Sequence, residues 1–152
     1  MTDKEVKEYR LRCPTFLARL GGDYRDTCMH FGFECGRGWW NPLKHFCGAV
    51  ERLNAHLMAD AGCHFEAEQI KEKYGTIRVH VDLVGAENLD PATEDAVWQM
   101  YRTLQDSLEK DCEERCEYCG RNVPLVRTKG WISYLCESCA LKTGREYITA
   151  ER

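Results

Sequence analysis

Apolar residues recur at helical spacing in two long stretches of the chain and alternate strictly in a third. Trp39, Leu43, Phe46, Val50, Leu53 and Leu57 follow one another at steps of three and four, which lays them along one face of an α-helix. Asn41 before Pro42 predicts an N-cap and a first helical residue. Gly62 supplies a stop, so a helix is expected over 42–60. Asp90-Pro91 repeats the start signal, and Val97, Met100, Tyr101, Leu104 and Leu108 mark a second helix over 91–111. Between the two, Ile77, Val79 and Val81 alternate with Arg78, His80 and Asp82, the period of a half-buried strand. Phe65 to Tyr74 reads as a looser partner strand and Tyr74-Gly75 as the turn, predicting a β-hairpin over 64–84.

Residues 1–35 show no such period. Phe16-Leu17-Ala18 with Leu20, after Pro14, predict one or two helical turns. Residues 21–38 hold Gly21, Gly22, Gly32, Gly36 and Gly38 and read as a loop, long enough to expect that it is packed or functional. The expected fold is α+β: a helix–β-hairpin–helix domain over 1–111, both helices covering one sheet face, followed by a separate module over 112–152.

Composition narrows the class. The chain has 152 residues, 30% charged and 43% hydrophobic, which is globular. No run approaches the roughly 20 apolar residues of a membrane span. The formal net charge of −4 argues against a surface coated for gripping nucleic acid along its whole length. Ten cysteines point either to a disulfide scaffold or to a metal protein. The opening residues MTDKEVKEYR lack the apolar core of a secretion signal, so reduced thiols, a metal and a cytoplasmic location are the expectation.

The last forty residues carry the sharpest motif. Cys116-Glu117-Tyr118-Cys119-Gly120 and Cys136-Glu137-Ser138-Cys139 are each Cys-x2-Cys, sixteen residues apart. Each pair forms a tight turn that converges two sulfurs, and two such turns complete the closed thiolate shell of one structural zinc ion. Leu125-Val126-Arg127 and Trp131 to Leu135 read as strands turned by Lys129-Gly130, with a short helix following through Ala140-Leu141-Lys142 and Arg145-Glu146-Tyr147. That order resembles a treble-clef or zinc-ribbon finger. Treble-clef nucleases resemble this module too, but they use histidines, and no histidine follows His80. Four thiolates also leave no position for a reactive water, so catalysis at this metal is not expected.

Of the remaining cysteines, Cys28, Cys35, Cys47 and Cys63, with His30, His45 and His64, match no compact knuckle spacing and read as a weak candidate for a second site. The plainer reading of the free cysteines is as small buried hydrophobes, with Cys47 near the apolar helix face, and Cys112 reads as a helix-end residue. A two-residue turn at Tyr74-Gly75 would set Lys73 against Thr76, Lys71 against Arg78 and Gln69 against His80. Like charges directly opposed destabilise a sheet, so an anion is expected on that face: a phosphate, an acidic partner, or the chain's own Glu34 or Asp82. Residues 1–111 hold 14 basic and 19 acidic side chains, whereas 120–152 hold six basic and three acidic. Arg127, Lys129 and Trp131, around the finger's turn, are the candidate nucleic-acid contacts. Trp131 in the finger's own core is the plainer reading. Trp39-Trp40 should send one indole inward; the other, Trp40, reads equally as a partner anchor and as a side chain packed beneath the glycine-rich loop.

Two further stretches carry a resemblance. His30-Phe31-Gly32-Phe33-Glu34-Cys35-Gly36-Arg37-Gly38-Trp39 and Gln69-Ile70-Lys71-Glu72-Lys73-Tyr74-Gly75-Thr76-Ile77-Arg78, with the paired-cysteine finger and its Gly130-Trp131-Ile132, resemble a group of small uncharacterised proteins encoded by bacteriophages, prophages and bacteria. Such proteins often carry an acidic residue where this chain has Arg37. The resemblance implies a phage-type context. The resulting expectation is a non-catalytic, zinc-stabilised protein that modulates a host or viral machine through protein contacts, as in counter-defence. A nucleic-acid-binding regulator using residues 120–152 is the alternative. A small-anion or nucleotide binder built on Lys71, Arg78 and His80 is the third.

Overall fold

A computed structural model describes residues 1–149; residues 150–152, which include Glu151 and Arg152 of the charge balance, lie outside the described residues. The chain is mixed α+β, and its helices follow the apolar periods closely. Helix α2 spans Trp40–Asp60 and buries Leu43, Phe46, Cys47, Val50 and Leu57. Helix α3 spans Pro91–Glu113, capped by Asp90, whose carboxylate accepts the Ala92 and Thr93 amides at 3.0 and 3.2 Å. Two details correct the expectation. Trp39, not Asn41, occupies the α2 N-cap, because the helix runs directly out of a tight turn at Arg37–Trp39 whose indole is fully buried. Met100 is half-exposed while its neighbour Tyr101 is buried, so the stripe on α3 is narrower than the spacing implied.

The hairpin pairs β2 (His64–Lys73) with β3 (Thr76–Val84) in the expected register: Lys73 faces Thr76, Lys71 faces Arg78 and Gln69 faces His80. The register shifts once, between Ala67 and Gln69. The extra residue there, Glu68, reverses the alternation, so Phe65, Ala67 and Ile70 all lie on the covered face with Leu83, Val81 and Val79 across from them. This bulge is why the segment reads as a loose strand. A two-residue strand β1 (Phe33–Glu34), within the stretch expected to be loop, adds to β2 in parallel and gives the order β1-β2-β3. Helix α2 packs on β2, α3 packs on β3, and the helices pack on each other.

Phe46, Phe65, Trp98 and Tyr101 form the aromatic centre, with the Phe65 and Tyr101 rings 4.7 Å apart. One polar side chain enters it. Asn54 of α2 is buried, accepting the Phe65 amide at 2.8 Å and donating to the Phe65 carbonyl at 2.9 Å. It ties the helix to a stretch of β2 backbone that would otherwise be unpaired.

The N-terminus departs most from the sequence reading. Residues expected to be irregular form helix α1 (Asp3–Arg12), started by a reciprocal cap in which Thr2 and Glu5 bond each other's backbone and side chain. No residue of α1 is buried, so no apolar stripe announces it; its Tyr9 ring stacks edge-on against Phe33 at 4.9 Å and Trp40 at 6.2 Å. After it, a run of turns buries Phe16, Leu17 and Leu20, held by the Thr15 and Phe16 amides donating to the Glu51 carboxylate at 3.1 and 2.8 Å.

The C-terminal part forms a second sheet. Strand β4 (Leu125–Thr128) is central, with β5 (Tyr134–Cys136) and β6 (Tyr147–Thr149) antiparallel on either side. Helix α4 runs Glu137–Lys142 and stops before Gly144, at φ +65°. The expected short helix therefore holds through Lys142 but does not continue to Tyr147, which begins strand β6, since the left-handed glycine turns the chain back to pair with β4. Trp131 lies outside β5.

Candidate metal centre and its surroundings

The two Cys-x2-Cys turns arrive from different elements. Cys116 and Cys119 flank the turn after α3; Cys136 ends β5, and Cys139 lies in the first turn of α4. The four sulfurs lie within 4.8 Å of one another, and those of Cys119 and Cys136 are 3.7 Å apart. Four thiolates tetrahedrally placed about 2.3 Å from an ion would stand about 3.8 Å apart along each edge. The arrangement thus fits a metal ion; 3.7 Å is far from a disulfide bond. Cys116, Cys136 and Cys139 are buried, and Cys119 is exposed.

The first turn is closed by the Gly120 amide donating to the Cys116 carbonyl at 2.8 Å and the Cys116 amide donating to the Arg121 carbonyl at 3.0 Å. Gly120 has φ +74°, which favours glycine. Arg121 reaches back over the sulfurs: its Nε lies 3.4 Å from Cys119 Sγ, and its Nη2 lies 3.3 Å from Cys136 Sγ. Burial opposes ionisation of Cys136, but the Ser138 hydroxyl and the Cys139 amide bring its thiol down to about 6. Burial likewise opposes Cys119, where Arg121 wins and lowers the thiol. A bound cation would complete ionisation of the other two.

The finger is seated on the main domain through the two stretches that carry the resemblance. Gly38 donates its amide to the Glu117 carbonyl at 2.8 Å, and Gly36 donates to Glu117 Oε1 at 3.1 Å. A methyl group on Gly38 would stand 2.3 Å from the Cys116 carbonyl oxygen and 2.4 Å from the Gly120 nitrogen; one on Gly36 would stand 2.3 Å from the Glu117 carbonyl oxygen. The Trp39 indole N–H donates to the Arg115 carbonyl at 3.3 Å. On the hairpin, a methyl group on Gly75 would meet Tyr134 Cδ2 at 2.4 Å. Gly36 and Gly38 form a backbone socket for the first cysteine turn, and the hairpin tip rests on β5. Sequence reasoning singled out both stretches without finding this role; the signal was a Gly-x-Gly before a tryptophan, which asks for a close neighbour but does not name it.

The other candidates divide. On the hairpin, Lys71 donates to Gln69 at 2.7 Å and Gln69 donates to Glu34 at 2.8 Å, while Arg78 lies 3.6 Å from Glu109 of α3. Arg78 thus has a carboxylate of α3 within ion-pair range, whereas Lys71 bonds the neutral Gln69 amide, which in turn reaches Glu34 of β1. Arg19, unmarked in the sequence, clamps Glu66, Glu68 and Asp82 at 2.7, 3.0 and 3.2 Å on the same sheet. His80 is exposed. Trp40, which the sequence leaves equally as an anchor or a packed side chain, is half-buried among Tyr9, Phe33 and the Arg37 guanidinium, which lies 4.3 Å over its ring. Lys129 pairs with Glu146 at 3.3 Å, and Arg127 is half-buried in the central strand β4.

Trp131 stays in solvent, 71% exposed. It borders a groove with Tyr74, itself 71% exposed, along with Glu72, Lys73, Gly130 and Ile132. For the proposed second metal site, Cys28 is exposed and Cys47 and Cys63 are buried; among the described residues, the Cys116, Cys119, Cys136 and Cys139 set is the one that gathers three or more metal-ligating side chains. His64 instead pairs with Glu66 at 3.2 Å, and His30 with the Gly22 carbonyl at 2.7 Å. Cys112 lies in the last turn of α3, buried, its thiol pushed up to about 12 by that burial. No helix among the described residues is long and apolar enough to cross a membrane.

Comparison with known proteins places the chain beside none of them. No family model, no curated protein and no solved structure matches it.

Proposed function

We propose that the protein is a zinc-stabilised, non-catalytic binding protein that acts on a macromolecular machine of a host or virus through protein contacts. Zinc is the ion that four thiolates in a small two-turn module most often hold, and its filled shell makes it a scaffold of treble-clef or zinc-ribbon type. The phage-type setting rests on the sequence resemblance alone. The observation that carries the reading is the groove between Tyr74 of the hairpin and Trp131 of the finger. Two exposed aromatic side chains from different modules border one apolar depression with a charge of each sign beside it, Glu72 and Lys73. Aromatic anchors of this kind dominate protein contacts. Since the finger supplies half of the groove, the metal controls whether it exists.

The test uses the full chain as bait in host lysate, beside the double variant Trp131→Ala/Tyr74→Ala and a metal-stripped sample, with elemental analysis of each. One zinc per chain is expected, together with a protein captured by the native chain and by neither control. Equal capture by all three, or a folded chain without metal, overturns the reading. The exposure of Trp131 also supports a second reading, in which a base stacks on the indole and Arg127 or Lys129 meets a phosphate. Binding to a single strand that falls steeply with salt and disappears in Trp131→Ala would favour it.

A further inference from the structure

Four thiolates around a divalent cation leave two excess negative charges, and three of the four cysteines are buried. Cys119 is the exposed one, so an incoming ligand that competes for the metal meets that edge of the shell first. Arg121 lies across it. Its Nε points at Cys119 Sγ (3.4 Å) while Nη2 reaches both Cys136 Sγ (3.3 Å) and the Ser138 hydroxyl (2.5 Å), which itself contacts Cys136 Sγ at 3.3 Å. The backbone of the same residue is pinned by the Cys116 amide. The guanidinium therefore joins the two cysteine turns, one sulfur from each, using the fixed fork that a lysine ammonium lacks.

We propose that Arg121 is a positioning residue of the metal centre: it bridges Cys119 and Cys136, offsets part of the shell's excess charge, and holds the exposed edge closed against ligand exchange. The inference rests on the metal-site reading above and deepens it. Hydrogen bonds donated to metal-bound thiolates draw charge off the sulfurs, and outer partners of this kind commonly contribute about 10- to 100-fold to metal affinity.

The test uses the full chain loaded with zinc or with cobalt(II) as a spectroscopic probe. Arg121→Ala should lose at least about tenfold in apparent metal affinity and surrender zinc faster to a chromophoric chelator. Its sulfur-to-cobalt charge-transfer band should move to longer wavelength, because the sulfur lone pairs rise in energy once the donors are gone. Lys142→Ala, which removes an exposed cation from α4, should change none of these. Arg121→Lys should fall between, with the band still displaced. An Arg121→Ala chain that matches the native affinity within twofold and shows an unmoved band overturns the proposal. If Arg121→Ala does not fold, Arg121→Lys decides: native affinity with a native band rejects the bridge, and a displaced band supports it. Failure of the native chain to bind one equivalent of metal would reject the site itself, which is a different outcome.

Discussion

Gly38→Ala tests whether the metal finger depends on the main domain. Gly38 does not have a positive φ, so alanine meets no backbone penalty there, and any effect is steric. The new methyl group would stand 2.3 Å from the Cys116 carbonyl oxygen, 2.4 Å from the Gly120 nitrogen and 2.6 Å from the Glu117 carbonyl oxygen. All three are backbone atoms of the first cysteine turn, which cannot swing aside as a side chain would. Overpacking of this sort costs about 1–3 kcal/mol. Breaking the 2.8 Å bond from the Gly38 amide to the Glu117 carbonyl adds about 1–3 kcal/mol if both groups stay dry. The sum, about 2–6 kcal/mol, is a large share of the 5–15 kcal/mol that holds a typical domain. If the strain falls on the cysteine turn, even about 2 kcal/mol corresponds to roughly a 30-fold loss of metal affinity. Urea unfolding of the metal-loaded chain and competition with a chelator read the two consequences. Gly48→Ala in α2 is the control: its methyl group would find only Arg52 Nη1 at an ordinary 3.7 Å, so it should stabilise by up to about 1 kcal/mol, as alanine does over glycine inside helices. Native-like stability and metal affinity in Gly38→Ala would refute the socket.

Asn54→Leu strands the Phe65 amide and carbonyl in the core and should cost about 2–4 kcal/mol in chemical denaturation; a neutral result would mean the backbone re-pairs. Arg19→Met tests the carboxylate cluster on the sheet. Burial pushes the Glu66 carboxyl up, but Arg19 and His64 outweigh it and hold the group below its ordinary value. A lowered value adds stability above the unfolded carboxyl range that is lost as pH falls through the folded value. The variant should therefore be weaker by about 1–2 kcal/mol at pH 7, and the gap should close below about pH 4. A gap that is constant in pH, followed by urea melts, would remove the electrostatic account.

Local physics explains why so much was readable in advance. The α2 and α3 periods and the Asp90 cap act within a few residues, and the Tyr74-Gly75 turn sets the hairpin register from the tip as far as the bulge at Glu68. The four cysteines were legible for the same reason: the chemistry of a knuckle is written in its spacing. What the chain alone did not yield depends on meetings between distant segments. Helix α1 has no buried residue, and only the Thr2-x-x-Glu5 cap hinted at it. Strand β6 exists because a left-handed Gly144 returns it to β4. The chain alone offers Glu34 among the anions that could face the opposed Lys71 and Arg78, but only the fold sets Glu34 of β1 opposite Lys71 and brings Glu109 of α3 to Arg78.

Side-chain period and turn chemistry are properties of neighbours in sequence, and those settled the two long helices, the hairpin from its tip to the bulge, and the four candidate ligands. Which surfaces stay open is a property of neighbours in space. Only packing shows that Trp40 is covered, that Trp131 is bare, that two glycines are small because a cysteine turn lies against them, and that one arginine lies across the sulfurs. Contact between residues 80 positions apart leaves no period in the chain, so the tertiary structure alone decides it.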